Sequence, residues 1–393
     1  MSDCSAAGLL ASLAPHLPVH GITRVGLLTG LDVLGIPVAF AARPNSRALS
    51  VTQGKSLCAD EARLGAVMEA LEQAFAERSE ELTVCRATRA EIARLGRAAD
   101  PSDFRRAARP SGADAQIAWA RATSLISGAV LFVPLELVGL DLRKDGRPDV
   151  AVNPISGIGL AAGPCWEAAA THALLEVIEH NATAALGMFG FLDGLARPVR
   201  WEENDDPALD DIGARIARAG FSYQLYDLSS PSGLPVIAAL LECPDPVRGW
   251  TRFAGFACRF SPEHAAEAAL LEAVQSRLTV ISGARDDLNP AAYLGHPQKH
   301  LPEIPKGEFL RALPRPHAHL RDAPPHQRLA QALKCAVGLG ARDVLAAAVG
   351  EIPGLVSVVR VLASDLEAPG FNTVTVLGRR TLQAMLAAAE AAR

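Results

Sequence analysis

Gly65-Ala-Val-Met-Glu69-Ala-Leu-Glu72 recurs twice in the same chain with small changes, as His172-Ala-Leu-Leu-Glu176-Val-Ile-Glu179 and as Ala268-Ala-Leu-Leu-Glu272-Ala-Val-Gln275. In each run an acid stands four residues after a small or polar position and three before a second Glu or Gln. On an α-helix that spacing puts all three positions on one face, beside the apolar stripe. The carboxylates are therefore expected at the edge of a core, half withdrawn from water. Two acids at i and i+3, with no Lys or Arg at the next turn, repel each other. Mg²⁺ answers that repulsion, because it is a hard cation held by carboxylates together with substrate phosphates. A solvated face on three Ala-rich amphipathic helices is the competing reading, and the helices alone leave both open.

The text around these runs alternates between strand and helix. Strand-like segments at 25–30, 35–43 and 47–54, bounded by Gly, Pro or Asn, precede a helix predicted over about 59–78. Its apolar stripe is Leu64, Val67, Met68, Leu71 and Phe75. A short lead at 1–20 and a helix at 89–96 are expected, with a loop over 98–114. Residues 133–138 read as the clearest strand, followed by a turn at 144–146. A Gly-rich loop over 153–163 is predicted to lead into a helix at 164–186. Strands at 221–228 and 235–241 precede a helix at 262–282, and 286–325 is irregular. Helices at 326–339 and 342–348, a strand at 355–362 and a terminal helix at 379–392 complete the reading. Without a strict βαβ rhythm, the pattern predicts a mixed α+β fold, sheets flanked by helices, rather than a doubly wound sheet.

Composition narrows the function. The 393 residues, 49% hydrophobic, suffice for one large domain or two intimate lobes. A net charge of -5 gives no general reason for nucleic-acid binding, and no polybasic block suggests a membrane surface. The seven cysteines are scattered, with no CxxC or zinc spacing, so reduced thiols are expected. The N-terminus carries Asp3 and no Lys or Arg before Arg24, which argues against a signal peptide. No apolar run is long and clean enough to span a bilayer, and the cytoplasm is the expected location.

The flanks of the three helices bear on phosphate binding. Ser50-Val-Thr-Gln-Gly54-Lys55-Ser56 ends in Gly-Lys-Ser, but Leu49 stands where a P-loop needs its first Gly. The turn still offers backbone amides and a lysine to phosphates; a lone surface lysine is the bland alternative. Gly157, Gly159 and Gly163 precede the second helix, whose N-terminus would suit an anion. A dinucleotide fingerprint can be read there, with Ala162 a permitted variant in the last position and Glu179 at a plausible ribose distance, but the short preceding strand ending in Asn153-Pro154 weakens it. After the third helix, Arg277 and Arg285 would face phosphates or pair with Asp286 and Asp287.

Taken in order, several of these runs resemble a YcaO domain. They are Thr29-Gly-Leu-Asp-Val-Leu-Gly-Ile-Pro-Val38, Arg43-Pro-Asn-Ser-Arg47, the segment from Ser50 to Lys55, Met68–Glu72, Gly159–Gly163 with Ala173–Glu179, and Leu271–Arg277. Ile281-Ser-Gly-Ala-Arg-Asp-Asp287 completes the set, and the resemblance covers roughly 20–370. It implies a lead at 1–20, a YcaO-like catalytic domain at 21–370 with an acidic nucleotide site between the three helices, and a helical tail at 371–393. It also implies an ATP- and Mg²⁺-dependent enzyme that activates a backbone amide of a ribosomally made peptide. A substrate side chain as nucleophile gives an azoline; a sulfide donor gives a thioamide. No enzyme cysteine is required.

Carried over by motif, Glu69, Glu72, Glu176 and Glu179 would hold Mg²⁺ and phosphate. Lys55, His172, Glu272, Gln275, Arg277 and Arg285 would complete the nucleotide site. Four positions depart from the family pattern: Ser56 for Gly, Gly65 for Ser, His172 for Gln and His180 for Arg. They keep a non-catalytic YcaO-like scaffold as the alternative. A Pro-rich C-terminal tail of the azoline-forming kind is not read here, which favours the thioamide branch and a TfuA-like partner. No leader-binding segment is evident, and the resemblance implies a homodimer.

Overall fold

The computed structural model describes residues 6–96, 98–99, 104, 115–143, 155–184, 186, 196–202, 206–230, 233–247, 250–285, 308–366 and 386. In chain order its elements are α1 (Ala6–Leu13), β1 (Arg24–Leu27), β2 (Val38–Ala42), β3 (Val51–Lys55), α2 (Ala59–Ala76) and α3 (Ser79–Leu82). Next come β4 (Cys85–Ala87), α4 (Arg89–Arg94), β5 (Ile117–Ser124), β6 (Val130–Pro134), β7 (Leu160–Gly163) and α5 (Trp166–Thr183). Then follow β8 (Arg197–Arg200), α6 (Pro207–Arg218), β9 (Ser222–Asp227), β10 (Val236–Val247), β11 (Trp250–Cys258) and α7 (Pro262–Ser282). The last are β12 (Glu308–Phe309), α8 (Pro325–Gly338), β13 (Val344–Ile352) and β14 (Val356–Ala363). The fold is mixed α+β, as the alternating text predicts.

Two compact units divide the chain: Met1–Leu71 with Ala196–Ser229 and Leu234–Asp322, and Glu72–Leu195 with Ser230–Gly233 and Ala323–Arg393. The first holds an antiparallel sheet in the order β1-β2-β3 and a five-stranded sheet in the order β11-β10-β9-β8-β12. Helix α7 lies along β10 and β11, and its aliphatic face joins one core with Val38, Ile212, Ile237 and Leu241. Ser261 caps α7 by accepting from the His264 amide, Pro262 opens it, and Gly283 closes it in the left-handed conformation. Its observed span, Pro262–Ser282, matches the predicted 262–282.

The second unit is built on the sheet β4-β5-β13-β14-β7, with β6 pairing β5. Helix α5 lies against β7, β14 and α8. Helix α4 begins with a capping box between Thr88 and Glu91. Among the described residues no helix is long and apolar enough to cross a membrane.

Several local expectations are corrected. Of residues 342–348, expected as a helix, 344–348 lie in β13, held between β14 and β5. Three consecutive alanines give a helical propensity that two-sided ladder pairing overrides. The strand expected over 133–138 ends at Pro134, where the chain turns into a 3₁₀ helix, Leu135–Leu137. Residues 160–163 of the predicted Gly-rich loop form β7, antiparallel to β14. That strand follows the glycine pair instead of preceding it, so the dinucleotide reading loses its strand–turn–helix context. Strand β11, antiparallel to β10, was not anticipated. The expected turn at 144–146 and the terminal helix at 379–392 lie outside the described residues, apart from residue 386.

Candidate functional site

A strand leads into each of the three repeated helices, and each strand brings a glycine against its helix. A Cβ on Gly54 of β3 would overlap the Ala62 carbonyl and Ala66 amide of α2. One on Gly255 of β11 would overlap Ala269 and Ala273 of α7. One on Gly163 of β7 would stand 2.6 Å from the Ala169 nitrogen of α5. Only a residue without a side chain allows backbones so close. Side chains pin the same contacts: the Thr52 hydroxyl donates to the Ala66 carbonyl at 2.8 Å, and Ser276 to Ala254 at 3.0 Å.

Close approach brings the helix carboxylates to strand and loop amides. Glu69 accepts from the Gln53 amide at 3.2 Å, and Glu272 from the Phe256 amide at 3.4 Å. In the second unit, Glu72 accepts from the Ala162 amide at 2.7 Å and Glu176 from the Gly159 amide at 3.0 Å. All four, and Glu179, are half-buried, as expected for acids beside an apolar stripe. Charge-assisted bonds from backbone amides fix a carboxylate without spending a second side chain.

In the first unit Lys55 Nζ lies 2.8 Å from Glu272 Oε2. Glu272, Gln275 and Thr279 share one face of α7, and the Thr279 hydroxyl donates to Gln53 Oε1. Gln275 Oε1 and Gln53 Nε2 are buried with no partner among the described residues. An orphan acceptor and an orphan donor in one polar cluster are what a polar ligand would complete. Arg277 is two residues from Gln275, about 200° round the helix, and the structure does not bring it to that face. Its Nε pairs with Asp32 at 3.0 Å instead. Arg285 is half-buried beyond the Gly283 cap.

In the second unit His180 Nε2 stands 3.8 Å from Glu176 Oε1, and His172 is exposed on the same helix. Sequence reasoning missed Arg360. This fully buried arginine of β14 donates from Nη1 to the Ile158 carbonyl at 2.7 Å and from Nε to the Val138 carbonyl. The next amide of that peptide, on Gly159, is the donor to Glu176. Gly159 has φ of 78°, and a Cβ there would overlap the Val361 carbonyl, so only glycine fits at this position. A lone Arg inside the apolar run Val356–Ala363 was the available signal.

Among the described residues no group of three or more His, Cys, Asp or Glu is gathered as a metal cage. Mg²⁺ does not require one: it is held through one or two carboxylates, with waters and substrate phosphates filling its octahedron. Half-buried Glu pairs one turn apart, with Glu69, Glu72 and Glu176 already oriented by backbone amides, fit that donor set. Two buried thiols are poor nucleophiles: burial pushes Cys243 up to about 11, against the opposing pull of Arg277 beside it, and raises Cys335 as well.

The family model described as "YcaO cyclodehydratase, ATP- and Mg2+-binding" matches residues 53–367. A Rhizobium leguminosarum bv. trifolii protein, described as "Uncharacterized protein in tfuA 3'region", is 36% identical over 96% of this chain and 91% of its own. The YcaO structure from Methanopyrus kandleri bound with AMPPCP and Mg²⁺ is similar at a TM-score of 0.69, 20% identity, and 92% and 91% coverage. A heterocyclase in complex with substrate and cofactor is similar at a TM-score of 0.71 and 17% identity, over 93% of this chain and 52% of that one.

Proposed function

The chain belongs to the YcaO family, described as ATP- and Mg²⁺-binding, and from that premise we propose that it activates a backbone amide of a ribosomally made peptide or protein and converts it to a thioamide. One observation carries the reading: helix carboxylates recur on α2, α5 and α7, each fixed by a backbone amide of the strand or loop packed against it. A merely solvated acidic face would not need such anchoring.

In the second unit Glu72 and Glu176, each held by a backbone amide, would offer Mg²⁺ one or two carboxylates, with Glu179 one turn beyond Glu176 on α5 and Glu69 one turn before Glu72 on α2. In the first unit Lys55 would meet a phosphate, exchanging part of its ion pair with Glu272 for it, while Gln275 and Gln53 would offer their orphan polar atoms to the nucleotide. Bound Mg·ATP supplies the phosphoryl group that turns the amide oxygen into a leaving phosphate. The residues' task is to position and to neutralise charge, which is where most of the catalysis of phosphoryl transfer resides.

Two of the four departures from the family pattern have local roles that do not touch catalysis. A Cβ on Gly65 would stand 3.3 Å from Gly54 Cα, so glycine keeps the strand close. The Ser56 hydroxyl donates to Glu61 and accepts from the Cys58 amide at the entry to α2. These roles favour an enzyme over a scaffold. The thioamide outcome and a TfuA-like partner are favoured by the rhizobial relative, whose description places it beside tfuA.

The test is a calorimetric titration with ATP, with and without Mg²⁺, beside Glu176→Ala. Magnesium-dependent binding that the variant loses is expected. Mass spectrometry of a precursor peptide incubated with ATP, a sulfide source and a TfuA-like protein then separates oxygen-to-sulfur exchange from loss of water. No nucleotide binding even with the partner present would overturn the enzymatic reading.

A further inference from the structure

A cavity of about 470 Å³ in the first unit is lined by Arg215, Arg218 and Arg277 together with Val33, Leu34, Ala219 and Phe221. We propose that it binds a carboxylate carried on an apolar body. The inference does not rest on the nucleotide reading, because Arg277 points away from the Gln275 face of α7.

The three arginines differ in what holds them. Arg277 has a side chain only 9% exposed; Nε pairs with Asp32, and the guanidinium lies 4.8 Å from the Phe221 ring centre. Its Nη1 is buried with no partner among the described residues. Arg215 is bonded to Asp211 and to the Gly35 carbonyl. Arg218 is exposed, and among the described residues it makes no hydrogen bond or ion pair.

Charge and shape select the ligand. Three arginines against two carboxylates, Asp32 and Asp211, leave one positive charge. That balances one carboxylate, whereas a phosphate monoester brings about −1.5 to −2. A planar carboxylate also matches the guanidinium fork, which can donate two parallel bonds to it. Val33, Leu34 and Phe221 then face the rest of the ligand, and the volume falls within the usual range for small-molecule sites, roughly 300–1,000 Å³. The carboxylate would come from a free small acid or from the C-terminus of a peptide.

The experiment titrates the full chain calorimetrically with 3-phenylpropionate and with N-acetyl-Ala-Ala-Phe bearing a free C-terminus. Each is run beside its uncharged primary amide. The acids are expected to bind at least about tenfold tighter than their amides, and whichever acid binds better identifies the source. Arg218→Gln, an exposed substitution that leaves the Asp32–Arg277 pair intact, should weaken acid binding about tenfold and leave Mg·ATP binding unchanged. Arg218→Lys should recover part of the loss. Equal affinity for acid and amide, an Arg218→Gln variant that binds as the wild type does, or no binding of either acid up to its solubility would overturn the proposal.

Discussion

Arg360 is a charge with no exposed surface, and it donates to the Val138 and Ile158 carbonyls. Arg360→Met would leave the Val138 and Ile158 carbonyls without that donor. A buried polar group left unsatisfied costs about 1–3 kcal/mol, so a loss of roughly 2–4 kcal/mol is expected in a denaturant titration. Because the Ile158–Gly159 peptide also orients Glu176, the variant should weaken Mg·ATP binding at temperatures where it remains folded. Arg360→Lys should recover stability more than affinity, since one ammonium does not reproduce the fork. Glu267 gives a pH-dependent counterpart. Burial raises its carboxyl above the model-compound value of 4.5, and Asp206 adds to the shift. A raised folded-state value means that its stabilising contribution is present below 4.5 and is lost as pH rises through the folded value. Glu267→Gln should therefore melt higher than wild type at pH 7, and the gain should shrink as pH falls through the native Glu267 titration. A gain that stays constant with pH would show that the carboxyl carries no such cost.

At the scale of the element, the repeated unit is a strand glycine set against small helix residues, with an acid further along the helix. Gly54→Ala and Gly255→Ala each insert a methyl group where helix backbone already lies. Overpacking of this kind costs about 1–3 kcal/mol when neighbours can shift, and backbone neighbours shift least. Gly65→Ala should cost less, since its Cβ would meet Gly54 Cα at 3.3 Å. Melting curves of the three variants should rank accordingly, and Gly54→Ala should also weaken nucleotide binding, because β3 holds the Glu69 anchor and Lys55. The helices were legible in the sequence because their caps and apolar stripes are local: α2 and α7 fall where Leu64–Phe75 and Pro262 put them. The carboxylates were legible because their spacing repeats. Their amide partners on Gln53, Ala162, Gly159 and Phe256 were not, since backbone donors carry no residue identity. Strands β11 and β13 were missed for a related reason: Gly255 and the Ala346–Ala348 run serve close packing and pairing across a sheet, which a local propensity does not register.

For the whole molecule, binding and folding are one equilibrium. A ligand that binds only the native state stabilises it by RT ln(1 + [L]/Kd), about 2.7 kcal/mol at a free concentration near 100 times Kd. For a chain of 393 residues, that corresponds to a rise of only a few degrees, because the unfolding entropy grows with length. The net charge of -5 opposes non-specific attraction of a polyanionic nucleotide, so a rise in melting temperature requires specific contacts. The expected result is a rise with AMPPCP and Mg²⁺, no rise with AMPPCP and EDTA, and no rise with either for Glu72→Ala at matched ligand concentration. Glu72 is the informative position because the Ala162 amide holds it at 2.7 Å and the removal of one carboxylate leaves that donor with water. Stabilisation that survives EDTA would assign the phosphates to Lys55 and backbone amides alone, and the paired acids of α2 and α5 would then need another cation.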